Sequence, residues 1–334
     1  MANIAGTKRD LERSWSLTDL LDQAPGFAAL SSTLIEITEA GAPVVALTAD
    51  LKYSNGLVRY GERFPQRFFN MGISEQNMVT AAAAMATTGL TPFVSDFASF
   101  LSLLCCEQIR MDLAYSKLPV RMIGHHAGIA LGFYGTSHHA TEDLSVLRVM
   151  AGLTVVCPAD PASLAAAIRA SVEWREPIYI RIGRGREPEV YADGSAGFEI
   201  GKAIKHFDGA SATVIATGSM VHPSLVAVNA LRDRGHDVGL IDMHTIKPFD
   251  RDAVLEAASA SELILTVEEH NRIGGLGAAV GEVLAEAEGA PPLRRHGIAD
   301  EYSLIGPPTH LYRHYGLDVA GIEKFVRLEL EAIA

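Results

Sequence analysis

The sequence predicts an α/β fold composed of two three-layer α/β domains, the first built on a mostly parallel, doubly wound sheet. Short apolar runs rich in Val and Ile alternate with longer amphipathic or Ala-rich runs along the whole chain. The apolar runs lack strict two-residue alternation, which is typical of strands buried on both faces. The length of 334 residues, with 48% hydrophobic residues, is sufficient for two separate cores.

The first domain is predicted over residues 23–185, after an N-terminal extension at residues 1–22. Its strands are predicted in the Val- and Ile-rich runs at residues 44–48, 67–70, 92–94, 120–124, 154–157 and 178–182. Its helices are predicted in the longer segments between them, at residues 26–39, 75–88, 101–115, 141–150 and 161–174.

A segment rich in Gly, Pro and acidic residues at 186–200 is predicted to be a linker, because apolar periodicity is lost there. The alternation then resumes in a smaller second domain at residues 201–334. Its strands are predicted at residues 212–216, 238–242 and 263–267, and its helices at residues 223–234, 250–260, 277–287 and 322–333.

The charge balance argues against nucleic-acid and membrane partners. The chain has 28 Lys and Arg against 40 Asp and Glu, which gives a formal net charge of −12. No secretory signal is evident near the N-terminus, and no apolar run reaches the ~18 residues of a membrane helix. Because Cys105, Cys106 and Cys157 form no C-x-x-C motif, we expect a reduced, cytoplasmic protein.

A carboxylate stands at an unusual position in the segment 69–77, FNMGISEQN. Glu75 begins a predicted helix directly after a predicted strand and a Gly72 turn. Burying a carboxylate at such a junction is costly unless a donor bonds to it. A cofactor ring that needs a hydrogen-bonding partner would be such a donor, so Glu75 is a candidate cofactor-binding residue.

Two histidine pairs follow in the first domain. His125 and His126 end a predicted strand, and His138 and His139 follow a glycine-rich loop. Loops at the carboxyl ends of parallel strands bind ligands, which favours substrate bonding or proton transfer. Ordinary loop histidines are the alternative. A metal site is less favoured, because the pairs lack the His spacing of a helical zinc site and no Cys joins them.

Three further patterns permit two interpretations each. Phe97 and Phe100 could face one pocket or simply pack in the core. Arg181 and Arg184 lie at a strand end in a glycine-rich segment, where arginine either binds a phosphate or carboxylate or is merely solvated. The glycine-rich segment 274–281 loosely matches a dinucleotide-binding turn, but it follows the third predicted strand of its domain, so close helix packing is favoured.

Taken in order, several segments resemble the transketolase family. NMGISEQN at 70–77, SDFASF at 95–100 and GHHAGIALGFYGTSHHATEDLSVLR at 124–148 are similar to the pyrimidine-binding domain of transketolases. DMHTIKP at 242–248 and VEEH at 267–270 are similar to the transketolase C-terminal domain. Each motif alone would be weak, but the ordered set is specific and covers nearly the whole chain.

The resemblance implies a thiamine diphosphate enzyme that transfers a two-carbon ketol unit from a ketose phosphate to an aldose phosphate. Glu75 matches the family glutamate that hydrogen-bonds the aminopyrimidine ring and favours its imino tautomer. Phe97 and Phe100 match aromatic residues that pack on that ring. The third aromatic residue of the family pattern is Leu103 here.

The resemblance also implies the substrate-binding residues. His126 and His138 match histidines that contact the substrate and move protons, which makes them the catalytic candidates together with Glu75. Arg184 and Ser54 match residues that bind the substrate phosphate. Two departures fall at this end of the site, since residues 26–31 lack a family arginine and Tyr134 replaces an acidic residue.

The family also requires a diphosphate-binding domain that holds Mg²⁺, or Ca²⁺, through a Gly-Asp-Gly motif. This chain has no such motif, and Ala192-Asp193-Gly194 is the nearest run. We therefore expect an N-terminal partner subunit that supplies the metal and diphosphate site in an α₂β₂ heterotetramer. The chain itself is predicted to hold no metal. The alternative function is the β subunit of a 2-oxo-acid dehydrogenase, which shares the two-domain layout.

Overall fold

The computed structural model describes residues 24–191 and 197–333, so the extension predicted at residues 1–22 and the Ala192-Asp193-Gly194 run lie outside the described residues. The described strands form one seven-stranded and one five-stranded sheet. The strands of the N-terminal half are β1 (Val44–Thr48), β2 (Phe68–Asn70), β3 (Thr91–Phe97), β4 (Arg121–His125), β5 (Thr154–Val156) and β6 (Ile178–Arg181). They pair in parallel in the order β5-β6-β4-β3-β1-β2.

The second sheet is formed by the C-terminal half. Its strands, with one strand that joins the first sheet, are β7 (Ile204–Phe207), β8 (Ala212–Ala216), β9 (Val238–Asp242), β10 (Thr245–Lys247), β11 (Ile264–Asn271) and β12 (Leu293–Ile298). The order is β12-β11-β8-β9-β7, and only β7 runs antiparallel to its neighbour. Both sheets are mostly parallel, which confirms the predicted α/β fold.

Helices cover both faces of the sheets. In the N-terminal half they are α1 (Pro25–Glu39), α2 (Val58–Arg63), α3 (Glu75–Thr87), α4 (Cys106–Gln108), α5 (Asp143–Arg148) and α6 (Pro161–Val172). In the C-terminal half they are α7 (Val221–Arg232), α8 (Arg251–Ala260), α9 (Leu276–Ala285), α10 (Pro308–His314) and α11 (Val319–Ile333). Within the described ranges, none of these helices is long and apolar enough to cross a membrane.

The helix predicted at residues 101–115 is interrupted. Its α-helical part, α4, is a short segment between two π-helical stretches, Phe100–Leu104 and Ile109–Tyr115. The first stretch is closed by the Cys105 backbone N–H, which donates to the carbonyl oxygen of Phe100 five residues earlier at 3.3 Å. Such wide turns are rare and occur often at functional sites. Here the wide turn begins at Phe100, one of the candidate ring-packing residues.

The two halves share a core and a sheet. β10, from the C-terminal half, pairs antiparallel with β5, with Thr245 opposite Val156. One buried apolar cluster includes Val94 and Leu147 from the N-terminal half together with Leu276 from the C-terminal half. Burial of each such side chain stabilises the contact by about 1.5–3 kcal/mol. The C-terminal half is therefore a fixed support for the first sheet.

Candidate active site

The carboxyl ends of four strands lie side by side at one edge of the first sheet. β6, β4, β3 and β1 are consecutive parallel neighbours, so their carboxyl ends point the same way. Open α/β sheets bind ligands outside these ends. Phe97 ends β3, His125 ends β4 and Arg181 ends β6. Residues that are far apart in sequence thus meet at this edge.

Glu75 is the first residue of α3 and follows a turn that Asn70 holds in place. The Asn70 Oδ1 atom accepts hydrogen bonds from the backbone N–H groups of Asp50 at 2.9 Å and Gly72 at 3.1 Å. Gly72 has a φ of +69°, which glycine adopts without strain. The partly buried Glu75 side chain forms no hydrogen bond or ion pair with residues 24–191 or 197–333. Its carboxylate is therefore available to a ligand.

A second carboxyl group, that of Asp96, lies near Glu75. Asp96 is fully buried at the end of β3, where its Oδ1 accepts from the Phe97 N–H at 2.8 Å and its Oδ2 has no partner among the described residues. Burial, with a smaller contribution from the charge of Glu75, raises the pKa of Asp96 to about 7. Asp96 was not among the candidates singled out from the sequence, although an aspartate inside an apolar strand is a detectable signal.

Aromatic and histidine rings surround Phe97. Its ring centroid lies 5.5 Å from that of Phe100, 5.2 Å from that of His126 and 5.6 Å from that of His138. The His138 ring also lies 5.0 Å from the Tyr134 ring. These rings are close enough for edge-to-face packing. The structure thus brings both candidate catalytic histidines to the two candidate ring-packing phenylalanines.

His125 and His126 are buried and contact each other directly. Their Nδ1 atoms lie 2.7 Å apart, and His126 has a φ of +56°. Burial lowers the pKa of both rings, that of His126 to about 3, and the positive charge of Arg184 also disfavours protonation of His126. Both imidazoles are therefore neutral at physiological pH. The backbone N–H of His126 donates to the Gly183 carbonyl oxygen at 2.7 Å, which fixes the residue against β6.

His138 lies at the end of the glycine-rich loop. Its Nδ1 atom is 2.9 Å from the Ser137 Oγ, and its carbonyl oxygen accepts from the Ser99 Oγ at 3.2 Å. The loop is closed at its base by paired backbone hydrogen bonds between Gly128 and Ala140. Burial lowers the pKa of His138, but the side chain is only partly buried. His138 is thus the more accessible of the two candidate catalytic histidines.

Phe27 in α1 packs beside His126 and close to the loops that carry Gly56 and Gly185. It was not singled out from the sequence. Its ring centroid lies 5.6 Å from that of His126. A Cβ atom at Gly56 would lie 2.7 Å from the Phe27 Cβ, and one at Gly185 would lie 3.0 Å from the Phe27 ring. Only glycine permits these close approaches. Phe27 thus packs closely against both loops, and it lies in the segment 26–31, where the resemblance to transketolases implies an arginine.

Arg184 and Ser54 lie on the two loops that contact Phe27. Arg184 is exposed, and its charge reaches His126. Ser54 is partly buried, and its backbone N–H donates to the Leu51 carbonyl oxygen at 2.9 Å. The Ser54 hydroxyl forms no hydrogen bond within the described part of the chain. Both predicted phosphate-binding side chains remain available to a ligand.

The C-terminal half holds the glycine-rich loop through Glu269. This fully buried carboxylate accepts hydrogen bonds from the Ile129 N–H at 2.7 Å, the Ser219 Oγ at 2.5 Å and the Tyr312 hydroxyl at 2.8 Å. Burial raises its pKa, and the three donors oppose that shift. Because the loop carries His138, Glu269 positions the site from the other domain.

Arg181 forms hydrogen bonds to both halves of the chain and is not part of the candidate site. It forms a buried ion pair with Asp143, with Nε 2.8 Å from Oδ2, and it donates to the carbonyl oxygens of Ala140 and Glu269. A buried guanidinium with these partners is structural, and removing either charge would leave the other uncompensated. Of the two arginines singled out from the sequence, only Arg184 can contact a substrate.

Comparison with known proteins shows what the chain is related to. Residues 24–188 match the family described as transketolase, pyrimidine binding domain, and residues 201–322 match transketolase, C-terminal domain. The chain belongs to the transketolase family.

Several of its relatives are subunits of transketolases or are described as split gene products. A subunit of the apulose-4-phosphate transketolase from Phocaeicola vulgatus is 38% identical over 294 residues, which cover 88% of this chain and 94% of the relative. A subunit of the 6-deoxy-6-sulfo-D-fructose transketolase from a Clostridium species is 36% identical over 286 residues, or 85% of this chain and 88% of the relative. A solved split gene transketolase, described as an inactive beta4 tetramer, is 37% identical with a TM-score of 0.83, covering 91% of this chain and 97% of that chain.

The transketolase family implies thiamine diphosphate as the cofactor, and residues of this chain suit its pyrimidine half. Glu75 offers a carboxylate that has no partner among the described residues, and Phe97 and Phe100 offer apolar rings beside the histidines. Among residues 24–191 and 197–333, no group of three or more His, Cys, Asp or Glu side chains could hold a metal ion.

Proposed function

We propose that this chain is the C-terminal subunit of a split transketolase, which transfers a two-carbon ketol unit from a ketose donor to an aldose acceptor. The observation that carries the proposal is the unpartnered Glu75 carboxylate at the same sheet edge as the Phe97 ring cluster. Such a carboxylate suits a ligand with a hydrogen-bonding ring. The similarity to transketolase subunits over most of the chain supports the reaction class.

Glu75, Phe97 and Phe100 form the proposed cofactor-binding set. Thiamine diphosphate supplies carbanion stabilisation when it is bound. Glu75 would accept a hydrogen bond from its pyrimidine ring, and the two phenylalanine rings would exclude water from one side of it. Leu103, which stands where the family has a third aromatic residue, is half exposed, so the ring-packing surface is smaller here.

His126 and His138 form the proposed substrate-contacting pair. Both rings contact Phe97, so a substrate beside the cofactor would lie within their reach. His126 is neutral and buried, which suits hydrogen bonding to a donor oxygen. His138 is more exposed and bonded to Ser137, which suits movement of a proton between substrate and solvent.

Arg184 and Ser54 form the proposed site for the anionic end of the substrate. They lie on the two loops whose glycines, Gly56 and Gly185, approach Phe27 closely, and Arg184 supplies the positive charge. The related enzymes are named for a sugar phosphate and a sulfonated sugar, and both carry an anionic group. Phe27 and Tyr134 make this end less charged than in the family pattern, so we propose that the substrates differ from the usual pentose phosphates.

We further propose that the chain is active only with an N-terminal, diphosphate-binding partner subunit in an α₂β₂ heterotetramer. The partner would hold Mg²⁺ or Ca²⁺, because the Gly-Asp-Gly motif that binds the metal in the family does not occur in this sequence. The relative described as an inactive beta4 tetramer supports this requirement, because it consists of β subunits alone. The three free cysteines agree with a reducing, cytoplasmic location.

Reconstitution tests the proposed activity. The full chain is mixed with its diphosphate-binding partner, thiamine diphosphate and Mg²⁺, and ketol transfer between sugar phosphates is followed by product analysis. We expect transfer without release of CO₂. Decarboxylation of a 2-oxo acid with acylation of lipoamide would instead show a 2-oxo-acid dehydrogenase β subunit and would overturn the proposal.

Calorimetry tests the split site separately. The chain alone should bind thiamine diphosphate weakly, and addition of the partner should produce tight, Mg²⁺-dependent binding. Tight Mg²⁺-dependent binding to the chain alone would contradict the partner requirement while leaving the reaction class intact.

A further inference from the structure

The contact between His125 and His126 restricts where their protons lie. Their Nδ1 atoms are 2.7 Å apart, which is hydrogen-bond distance. A neutral imidazole has one N–H donor and one bare acceptor nitrogen. Two N–H groups cannot face each other at this distance, and two bare nitrogens would repel. One proton therefore lies between the two Nδ1 atoms.

The surroundings of His125 decide which ring carries that proton. The His125 Nε2 atom is buried and has no hydrogen-bond partner among the described residues. The ring is packed between Phe27 at 5.9 Å and Phe97 at 4.9 Å, centroid to centroid. A buried N–H without an acceptor is rarer than a buried acceptor without a donor. Nε2 of His125 is thus bare, and its proton is on Nδ1.

We propose that His125 is a positioning residue that donates from Nδ1 to the Nδ1 of His126 and locks His126 as the Nε2–H tautomer. His126 then presents an N–H group and cannot act as a base through Nε2. Its ring is fixed further by the backbone hydrogen bond to Gly183 and by the Phe97 ring. This inference rests on the proposed function: the substrate atom at His126 is then an oxygen that accepts this hydrogen bond.

The two rings remain neutral across the physiological range. Burial lowers the pKa of His125 well below its usual value, and protonation of either ring disfavours that of the other. Charge on Arg184 adds to the effect at His126. A neutral donor with a fixed tautomer needs no reorientation when substrate binds.

Two substitutions of similar chemistry and different reach test the proposal. In His125→Asn the side-chain amide nitrogen takes the place of Nδ1, whereas in His125→Gln it takes the place of Nε2. We expect His125→Asn to keep the hydrogen bond to His126 and His125→Gln to lose it. Thermal unfolding of both full-length variants shows that they are folded before they are compared.

Nitrogen NMR of isotope-labelled histidine reads the tautomer without any assay of activity. The His126 signals are assigned by their disappearance in His126→Asn. In the wild type and in His125→Asn, Nε2 should carry the proton and Nδ1 should be bare, whereas His125→Gln should show a mixture of tautomers. A protonated Nδ1 on His126 in the wild type, or the same tautomer in His125→Gln, would overturn the proposal.

Kinetics of the reconstituted complex link the tautomer to turnover. Loss of one oriented hydrogen bond should lower kcat/KM of His125→Gln about tenfold, with most of this loss recovered in His125→Asn. An unchanged kcat/KM in His125→Gln together with a scrambled tautomer would show that the donor role is wrong while the tautomer lock is right. Absence of ketol transfer in every protein, with the NMR result as expected, would reject the proposed function alone.

Discussion

Two strand-to-helix connections in the described part of the chain, β2–α3 and β11–α9, each involve a glutamate, and they use it in opposite ways. At the β2–α3 junction, Glu75 is partly buried and has no partner among the described residues. At the β11–α9 junction, Glu268 is fully buried and accepts hydrogen bonds from the backbone N–H groups of Leu276 at 2.7 Å and Gly277 at 2.9 Å. The Glu268 carboxylate thus satisfies backbone N–H groups at the start of α9, whereas the Glu75 carboxylate forms no such bond within the described residues.

The position of Glu268 explains why the segment 274–281 is rich in glycine, although it loosely matches a dinucleotide-binding turn. A dinucleotide would place its phosphates at the N-terminus of the helix. Here the Glu268 carboxylate occupies that position, and a Cβ atom at Gly275 would overlap its Oε2 atom. The glycines serve close packing, as favoured from the sequence. The Glu268 carboxylate, bonded to two backbone N–H groups, is therefore structural.

The largest expected effect is that of Glu75→Gln on catalysis. The substitution keeps the shape of the side chain but removes the acceptor charge proposed to hold the cofactor ring. We expect kcat of the reconstituted enzyme to fall about 10²–10⁴-fold. Stability should change little, because Glu75 has no partner to lose among the residues that the structure describes. Steady-state kinetics and urea unfolding measure the two quantities. Glu62→Gln, an exposed residue on α2, is the matched control.

The corresponding substitution at the β11–α9 junction should lower the stability of the protein and leave kcat nearly unchanged. Glu268→Ala leaves the Leu276 and Gly277 N–H groups buried without an acceptor, so we expect a loss of about 2–4 kcal/mol in the free energy of unfolding. The cofactor-dependent kcat of the folded fraction should change little. If Glu268→Ala were as stable as the wild type, the structural role of this carboxylate would be wrong.

The sequence was sufficient to predict most of the fold. Apolar runs correctly placed β1, β8 and β9, because these strands are buried along their whole length. β7 and β12 were missed, since partly exposed residues interrupt their hydrophobic pattern. β10 could not be predicted from local sequence, because its partner β5 belongs to the other half of the chain.

The candidate site was predictable where a motif stands next to a strand end. Glu75 and the Phe97, His126 and His138 rings were singled out, and the structure brings the three rings together. The His125–His126 tautomer was not accessible from the sequence, because it depends on burial and on atomic distances. Asp96, by contrast, could have been found as an aspartate inside an apolar strand. Glu269 was part of a recognised motif, but its contact with the glycine-rich loop exists only after the two halves pack.

The pH dependence of stability provides a second test of the β11–α9 junction. Burial raises the pKa of Glu268 to about 7, opposed by its two N–H donors and by the nearby charges of Arg181 and Arg295. A raised carboxyl pKa gives stability that is complete below about 4.5 and is lost as the pH rises through about 7. Relative to Glu268→Gln, the wild type should therefore lose about 1.4 kcal/mol per pH unit in this window. Urea unfolding across the pH range measures the slope, and parallel curves for the two proteins would contradict it.

The smallest expected effect on stability is that of Gly72→Ala at the β2–α3 junction. Gly72 has a φ of +69° and open space around it, so Gly72→Ala should cost only the backbone strain of about 1 kcal/mol. Gly275→Ala should cost more free energy of unfolding, because its Cβ would meet the Glu268 carboxylate.

Gly89 provides a matched control for Gly72. It lies just beyond the other end of α3 and also has open space and a φ of +86°. Gly89→Ala should therefore match Gly72→Ala in urea unfolding, but only Gly72→Ala should also lower kcat, since it strains the turn that places Glu75. Equal kcat values for the two variants would show that the turn does not position the carboxylate.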